Sequence, residues 1–231
     1  KSFANLVNQL LASRRTEGLL VITPNVEPHQ TLLPKYVSTV FVGADPRLDR
    51  FASVTLDDKK AGSIATDHLI QLNHSRIAHI TGPIMEYSSQ NRLNGYEAAL
   101  YKLGIPSDSS LIWEGDWSAT SGYQAIQHFL STGVKFSAVF AQNDRMAVGA
   151  IRALRDAGKL VPQDVSVIGV DDMPLASYFD PPLTTILQDT YCMGRVAACA
   201  LIDAIEQPDK ACQPMHIEPR LIVRQSTSRL I

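Results

Sequence analysis

The chain has 231 residues, enough for one large α/β domain or two smaller ones. Its 21 basic and 23 acidic residues leave a formal net charge of −2, and 45% of it is hydrophobic, the balance of an ordinary globular protein. It has no Lys/Arg-rich run with which a domain grips nucleic acid by itself, and no apolar run near the roughly 20 residues a membrane span needs.

Short β-rich runs alternate with helical patterns, as in parallel sheets linked by crossover helices. Phe3–Arg14 reads as a helix running directly into a strand, which implies an earlier strand and helix upstream of Lys1 and a truncated chain. Leu19–Ile22, Val40–Val42, Ile77–Thr81, Leu111–Trp113, Ala138–Ala141 and Val165–Val170 read as buried strands. Ile64, His68, Leu69 and Leu72 line one helix face, which stops near Asn73. Leu93, Tyr96, Leu100 and Leu103 line the next, closed by Gly104 and Pro106. Met146, Ala150, Ile151 and Leu154 line a third, closed by Gly158 and Pro162. Gly or Asn past the last turn with Pro soon after is a helix stop signal.

Two breaks interrupt this alternation. Asp180-Pro181-Pro182 precedes an extended Leu183–Leu187, and Gln207–Pro219 follows a long helix and precedes a final strand, Arg220–Arg224. Such late breaks indicate a chain that crosses between lobes more than once. Cys192, Cys199 and Cys212 have no metal-ligand spacing and read as small buried apolar residues.

Ligands of open parallel sheets bind beyond the carboxyl ends of the strands. Four successive strands here lead into Ser88 and Arg92, into Gly115-Asp116-Trp117-Ser118, into Gln142-Asn143-Asp144, and into Asp171-Asp172. An Arg fork, a carboxylate and an amide suit vicinal hydroxyls, and an indole suits the C–H face of a sugar ring. The set lacks the Lys/Arg cluster or Gly-rich helix start that phosphate favours. Helix capping is the competing account of Asp116, Ser118, Asn143 and Asp144, core packing that of Trp117, and a surface ion pair that of Arg92.

No nucleophile elbow, phosphate loop or His-Glu-x-x-His pattern appears. Asp171 and Asp172 are neighbours whose side chains point different ways, whereas a glycosidase needs carboxylates facing across a bond at about 5–10 Å. His68, His74 and His79 fall on a helix, a loop and a strand and read as structural. The sequence therefore calls for no catalytic residues, metal or cofactor.

Longer runs carry a resemblance. Asp67-His68-Leu69-Ile70, Asn73-His74-Ser75-Arg76-Ile77-Ala78, Thr81-Gly82-Pro83 and Asn91-Arg92-Leu93-Asn94-Gly95-Tyr96 are followed by Phe140-Ala141-Gln142-Asn143-Asp144-Arg145-Met146-Ala147. Val161-Pro162-Gln163-Asp164-Val165-Ser166-Val167-Ile168-Gly169-Val170-Asp171-Asp172, Pro181-Pro182-Leu183-Thr184-Thr185-Ile186 and Leu221-Ile222-Val223-Arg224 complete the series. Collinear over nearly the whole chain, these resemble the lac/gal repressor family, and Gly115-Asp116-Trp117-Ser118-Ala119 with Ser121-Gly122 resembles its lac branch.

The resemblance implies two Rossmann-like, periplasmic-binding-protein-like lobes joined by three crossovers, with a sugar or glycoside effector in the cleft. The lobes would be residues 1–56 with 188–217, and 57–187 with 218–231. Arg92, Asn143 and Asp171 would hydrogen-bond the effector and Trp117 would stack on it, with Ser88 and Gln188 as further contacts. Ala44, Leu56 and Thr190 depart from the lac branch, which has an Asp and two aromatic wall residues there. The resemblance further implies a cytoplasmic homodimer, joined through the Met146–Ala157 helix and the Met173–Phe179 loop. It would reach operator DNA through a helix-turn-helix that has no counterpart in this chain, without contact with a membrane. A periplasmic sugar carrier of a transporter is the alternative reading, and a sugar-processing enzyme a third.

Overall fold

The computed structural model describes residues 3–12, 16–23, 32–34, 36–44, 51–207 and 213–230. In chain order these form α1 (Phe3–Ala12), β1 (Gly18–Ile22), β2 (Ser38–Val42), β3 (Ala52–Leu56), α2 (Asp58–Gln71), β4 (Ile77–Thr81) and α3 (Tyr87–Lys102). Then come β5 (Ile112–Glu114), α4 (Ala119–Ser131), β6 (Ala138–Ala141), α5 (Asp144–Asp156), β7 (Ser166–Asp171), β8 (Thr184–Leu187), α6 (Thr190–Glu206), β9 (Pro214–Ile217) and β10 (Arg220–Ile222). The chain divides into a smaller unit, Lys1–Asp57 with Asp189–Glu218, and a larger one, Asp58–Gln188 with Pro219–Ile231. It passes between them after residues 57, 188 and 218.

In the smaller unit β1, β2, β3 and β9 form a parallel sheet in that order. Side chains alternate across a strand, so neighbours in β2 serve opposite faces. Phe41 packs with Val7 of α1, Val21 and Phe51, while Val40 packs with Val54 and with Met193 and Ala197 of α6. Two of these strands differ from the expectation. Ala52–Leu56 is a wholly buried strand whose Ser53 and Thr55 disguise it; the Thr55 hydroxyl is bonded to Nδ1 of His216 at 2.9 Å. The expected break at Gln207–Pro219 contains β9, opened by Pro214 on the sheet edge, where a missing N–H is tolerated.

The larger unit holds a six-stranded sheet, β10-β8-β7-β6-β4-β5, parallel except for the edge strand β10. Leu111 closes a short 3-10 turn instead of starting β5. The buried face of α2 is Ala61, Gly62, Ala65, Thr66 and Leu69, one position off the expected apolar stripe. Small residues win there because α3 crosses too closely for larger ones: a Cβ on Gly62 would overlap the Arg92 carbonyl, and one on Gly95 the Lys59 carbonyl. Leu103, expected in the core, is 55% exposed for the same reason, since Gly95, Tyr96 and Ala99 form the contact. Cys192 is half-buried and Cys199 exposed, against the expectation of burial, because α6 buries only Met193 and Ala197. Ser13 and Arg14 of the expected first helix, and Cys212, lie outside the described residues.

Candidate functional site

Five strands of the larger unit end on one rim. β4 runs out at Gly82, β5 at Gly115, β6 at Gln142, β7 at Asp171 and β8 just before Gln188. The centre of the rim is Arg92 on α3, only 5% exposed. Its Nε donates to Oδ1 of Asp58 at 2.8 Å, Nη1 to the Gln142 carbonyl, and Nη2 to Oε1 of Gln188 at 3.5 Å. A guanidinium has five N–H donors. Three are committed to these partners, which leaves two. Asp58 opens α2, where a carboxylate is stabilised by the helix dipole as well as by Arg92.

Beneath Arg92 lies a closed polar network. Gln142 accepts from the Gly82 N–H at 2.9 Å, and its amide group donates to the Ser89 carbonyl and to Nε2 of His79, both at 3.0 Å. Nδ1 of His79 faces the Phe140 carbonyl at 3.2 Å, and the ring stacks on Tyr96 with centroids 4.5 Å apart. Burial, only partly offset by that carbonyl, pushes the His79 pKa down to about 3, so the imidazole is neutral with Nε2 as acceptor.

Trp117 stands over this floor with φ of 68°, a backbone conformation that side chains other than glycine rarely adopt. Its carbonyl accepts from Nδ2 of Asn143 at 3.0 Å and its indole N–H donates to Oε2 of Glu86 at 2.9 Å. The ring lies against Gly82, where a Cβ would run into its six-membered half, and the Arg92 guanidinium carbon is 5.8 Å from the ring centroid.

Asn143 is the N-cap of α5: its Oδ1 accepts from the Met146 N–H at 2.8 Å. Asp144 is not a cap, a correction to the capping account. It is fully buried, with Oδ1 accepting from the Thr185 hydroxyl at 2.6 Å and Oδ2 from the Met173 N–H at 2.8 Å. Burial raises its pKa to about 7 against those two bonds, with repulsion from Asp171 and Asp172 adding to the rise. Asp171 ends β7 with φ of 125°, and burial raises its pKa to about 6 although Arg92 pulls the other way. Asp172 points elsewhere and pairs with Arg224 at 2.7 Å.

Arg92, Trp117, Asn143, Asp171 and Gln188 thus share one rim. Ser88 stands one helical turn before Arg92 on α3, outside the bonds just described. Ser118 caps α4, accepting from the Ser121 N–H at 3.1 Å, and the exposed Asp116 accepts from the Ser118 N–H. Glu86 and Asp58 were not picked out by sequence reasoning, and Gln142 stood only in a strand-end run, without a role. Their roles depend on partners 31, 34 and 60 positions away, and the local signals were no more than a helix start for Asp58 and a strand end for Gln142. Of the departures from the lac branch, Ala44 and Leu56 are core residues of the smaller unit and Thr190 is exposed. No helix among the described residues is long and apolar enough to cross a membrane.

Residues 66–227 match the family model described as a periplasmic binding protein-like domain. The chain is 37% identical over 222 residues to the ribose operon repressor of Escherichia coli (strain K12), an alignment covering 94% of this chain and 67% of that protein. A solved complex of the transcriptional regulator CelR with cellobiose has a TM-score of 0.89 at 33% identity, over 96% of this chain and 69% of that one. A LacI family transcriptional regulator from Enterococcus faecium with bound ribose has a TM-score of 0.87 at 30% identity, over 99% and 85% of the two chains.

Proposed function

The chain belongs to the lac/gal family of transcription repressors, and from that membership we infer that it is the sugar-sensing core of one such repressor. The effector is a neutral sugar or glycoside held on the strand-end rim of the larger unit. The observation that carries this reading is Arg92, a buried guanidinium with two uncommitted donors beside the face of an anchored indole. A planar fork against a flat apolar wall presents what a ring with vicinal hydroxyls requires. Asn143 and Asp171 add an amide and a carboxylate, and Gln188, within reach of Arg92, adds a second amide; Ser88 is a further contact.

Of the carboxylates near the rim, Asp58 is committed to Arg92, Asp144 to Thr185 and Met173, and Asp172 to Arg224, which leaves Asp171 without a second acid to work with and favours a binder over an enzyme. Relatives bound to ribose and to cellobiose make those two sugars the first to test. The core acts in the cytoplasm as a homodimer, paired through α5 and the segment around Leu175 and Tyr178, both of which are exposed apolar residues. Operator DNA is reached through a domain outside this chain, and effector binding shifts DNA affinity by a coupling on the order of 1–3 kcal/mol.

A thermal-shift screen of mono- and disaccharides tests the reading, because a ligand of the native state raises its stability. Calorimetry on Arg92→Lys then localises the site: lysine keeps a cation beside Asp58 but loses the fork. The variant should fold and bind the sugar about tenfold or more weakly. Unchanged affinity would overturn the assignment, and sedimentation of the parent should report a dimer.

A further inference from the structure

We propose that Glu86 is a positioning and specificity residue of the effector site, resting on the reading above: it clamps the Trp117 indole and turns anionic ligands away from it. Three observations converge on this. The indole N–H is spent on Oε2 of Glu86 at 2.9 Å, so Trp117 offers a ligand its apolar face and no donor. Trp117 is held in a left-handed backbone conformation, and such strain persists at a residue other than glycine only where the surroundings over-determine it. The anchors are two bonds at opposite ends of the residue, Asn143 to its carbonyl and Glu86 to its ring, while Gly82 leaves the ring room to lie flat.

Glu86 is well placed for the task. It is the N-cap residue of α3, its N–H donates to the Pro83 carbonyl at 2.9 Å, and its side chain makes no cap bond, leaving the carboxylate for the indole. Arg92, six residues on in α3, holds its guanidinium carbon 5.8 Å from the ring centroid, and Asp58 already compensates its charge. A phosphate or carboxylate carried by the ligand onto the indole would approach the Glu86 carboxylate, and the nearby Arg92 charge is already met by Asp58, so this side of the site favours neutral sugars over their phosphates.

The test separates the clamp from the charge. Trp113→Phe leaves Trp117 as the sole tryptophan of the chain, since the sequence has two. In that background, without ligand, Glu86→Ala should raise acrylamide quenching of Trp117 by about twofold and lower its fluorescence anisotropy, because the N–H has lost its acceptor. Glu86→Gln keeps an oxygen acceptor and should restore the parent values. An Ala variant that matches the parent, or a Gln variant as mobile as the Ala one, overturns the clamp. Calorimetry with ribose, cellobiose and ribose 5-phosphate reads the second half. Glu86→Ala should bind the neutral sugar roughly tenfold more weakly, and Glu86→Gln should improve the phosphate relative to the neutral sugar by about tenfold. No gain for the phosphate overturns the anion filter. If the parent binds no sugar at all, the effector reading fails, while the quenching experiment still decides the clamp.

Discussion

The two ends of the larger sheet are built from similar side chains and put to different use. At the amino ends of the strands, His74 joins the Ser137 hydroxyl and the Ser228 carbonyl, both at 2.9 Å. Ser226 accepts from the Thr184 N–H at 2.8 Å and donates to the Val167 carbonyl at 2.6 Å, and His68 meets the Thr227 hydroxyl at 3.0 Å. These bonds tie the last residues of the chain across the sheet, and the left-handed residue beside them, Asn73, is the helix stop before His74. At the carboxyl ends, Trp117, Asp171 and Asp172 all have positive φ, two carboxyls are pushed towards neutral pH, and Arg92 keeps unspent donors. A polar cluster whose groups satisfy one another holds a fold together. A strained one with spare donors has the makings of a binding site.

Breaking the best-committed pair of the carboxyl end should have the largest effect. Asp58→Ala removes the carboxylate bonded to the buried Arg92 guanidinium and leaves it only the more distant pull of Asp171, and urea denaturation should show a loss of about 3–5 kcal/mol. A loss below about 1 kcal/mol would mean that the Gln142 carbonyl alone suffices. Next comes Asp144. Its folded pKa of about 7 lies above the unfolded value of 3.8, so its contribution is fully present below 3.8 and is lost as pH rises through 7. Asp144→Asn can still accept from Met173 and donate to Thr185 without ionising. It should therefore match the parent near pH 3.5 and exceed it at pH 8 by on the order of 2–4 kcal/mol. Equal pH profiles for the two proteins would remove the strain assigned to this carboxylate.

The carboxyl end was the more legible of the two, and for a physical reason. A parallel sheet gathers its strand ends, so Arg92, Trp117, Asn143 and Asp171 can be brought to one rim from strand order alone. Chain direction does not reveal which neighbour takes which task. Asn143 and Asp144 are adjacent and equally suited to capping, and only the packing of Asp144 over Gly169 and against Thr185 decides that Asn143 caps. β3 was illegible because a buried central strand needs no alternating pattern when its Ser and Thr find partners inside, and β9 because it is a short, half-exposed edge strand opened by Pro214 inside what reads as a break. The amino-end seam was invisible too: His68 and His74 read as structural, yet their partners lie 159 and 154 residues away.

That seam supplies the smallest effect and the sharpest contrast. Burial lowers the His74 pKa, with the Ser228 carbonyl resisting, so the fold favours the neutral ring. A depressed histidine contributes stability that is present above its unfolded value of 6.5 and is lost as pH falls through its folded value. The two ends therefore titrate in opposite senses, the carboxyl end weakening as pH rises and the amino end as it falls. His74→Ala strips partners from the Ser137 hydroxyl and the Ser228 carbonyl. It should cost about 1–2 kcal/mol at pH 8, less at pH 5, and leave sugar affinity where it was. The affinity is the deciding measurement. If losing a side chain at the amino end weakens binding at the carboxyl end, the seam is part of the sensor as well as of the scaffold, and the division between the two ends of the sheet does not hold.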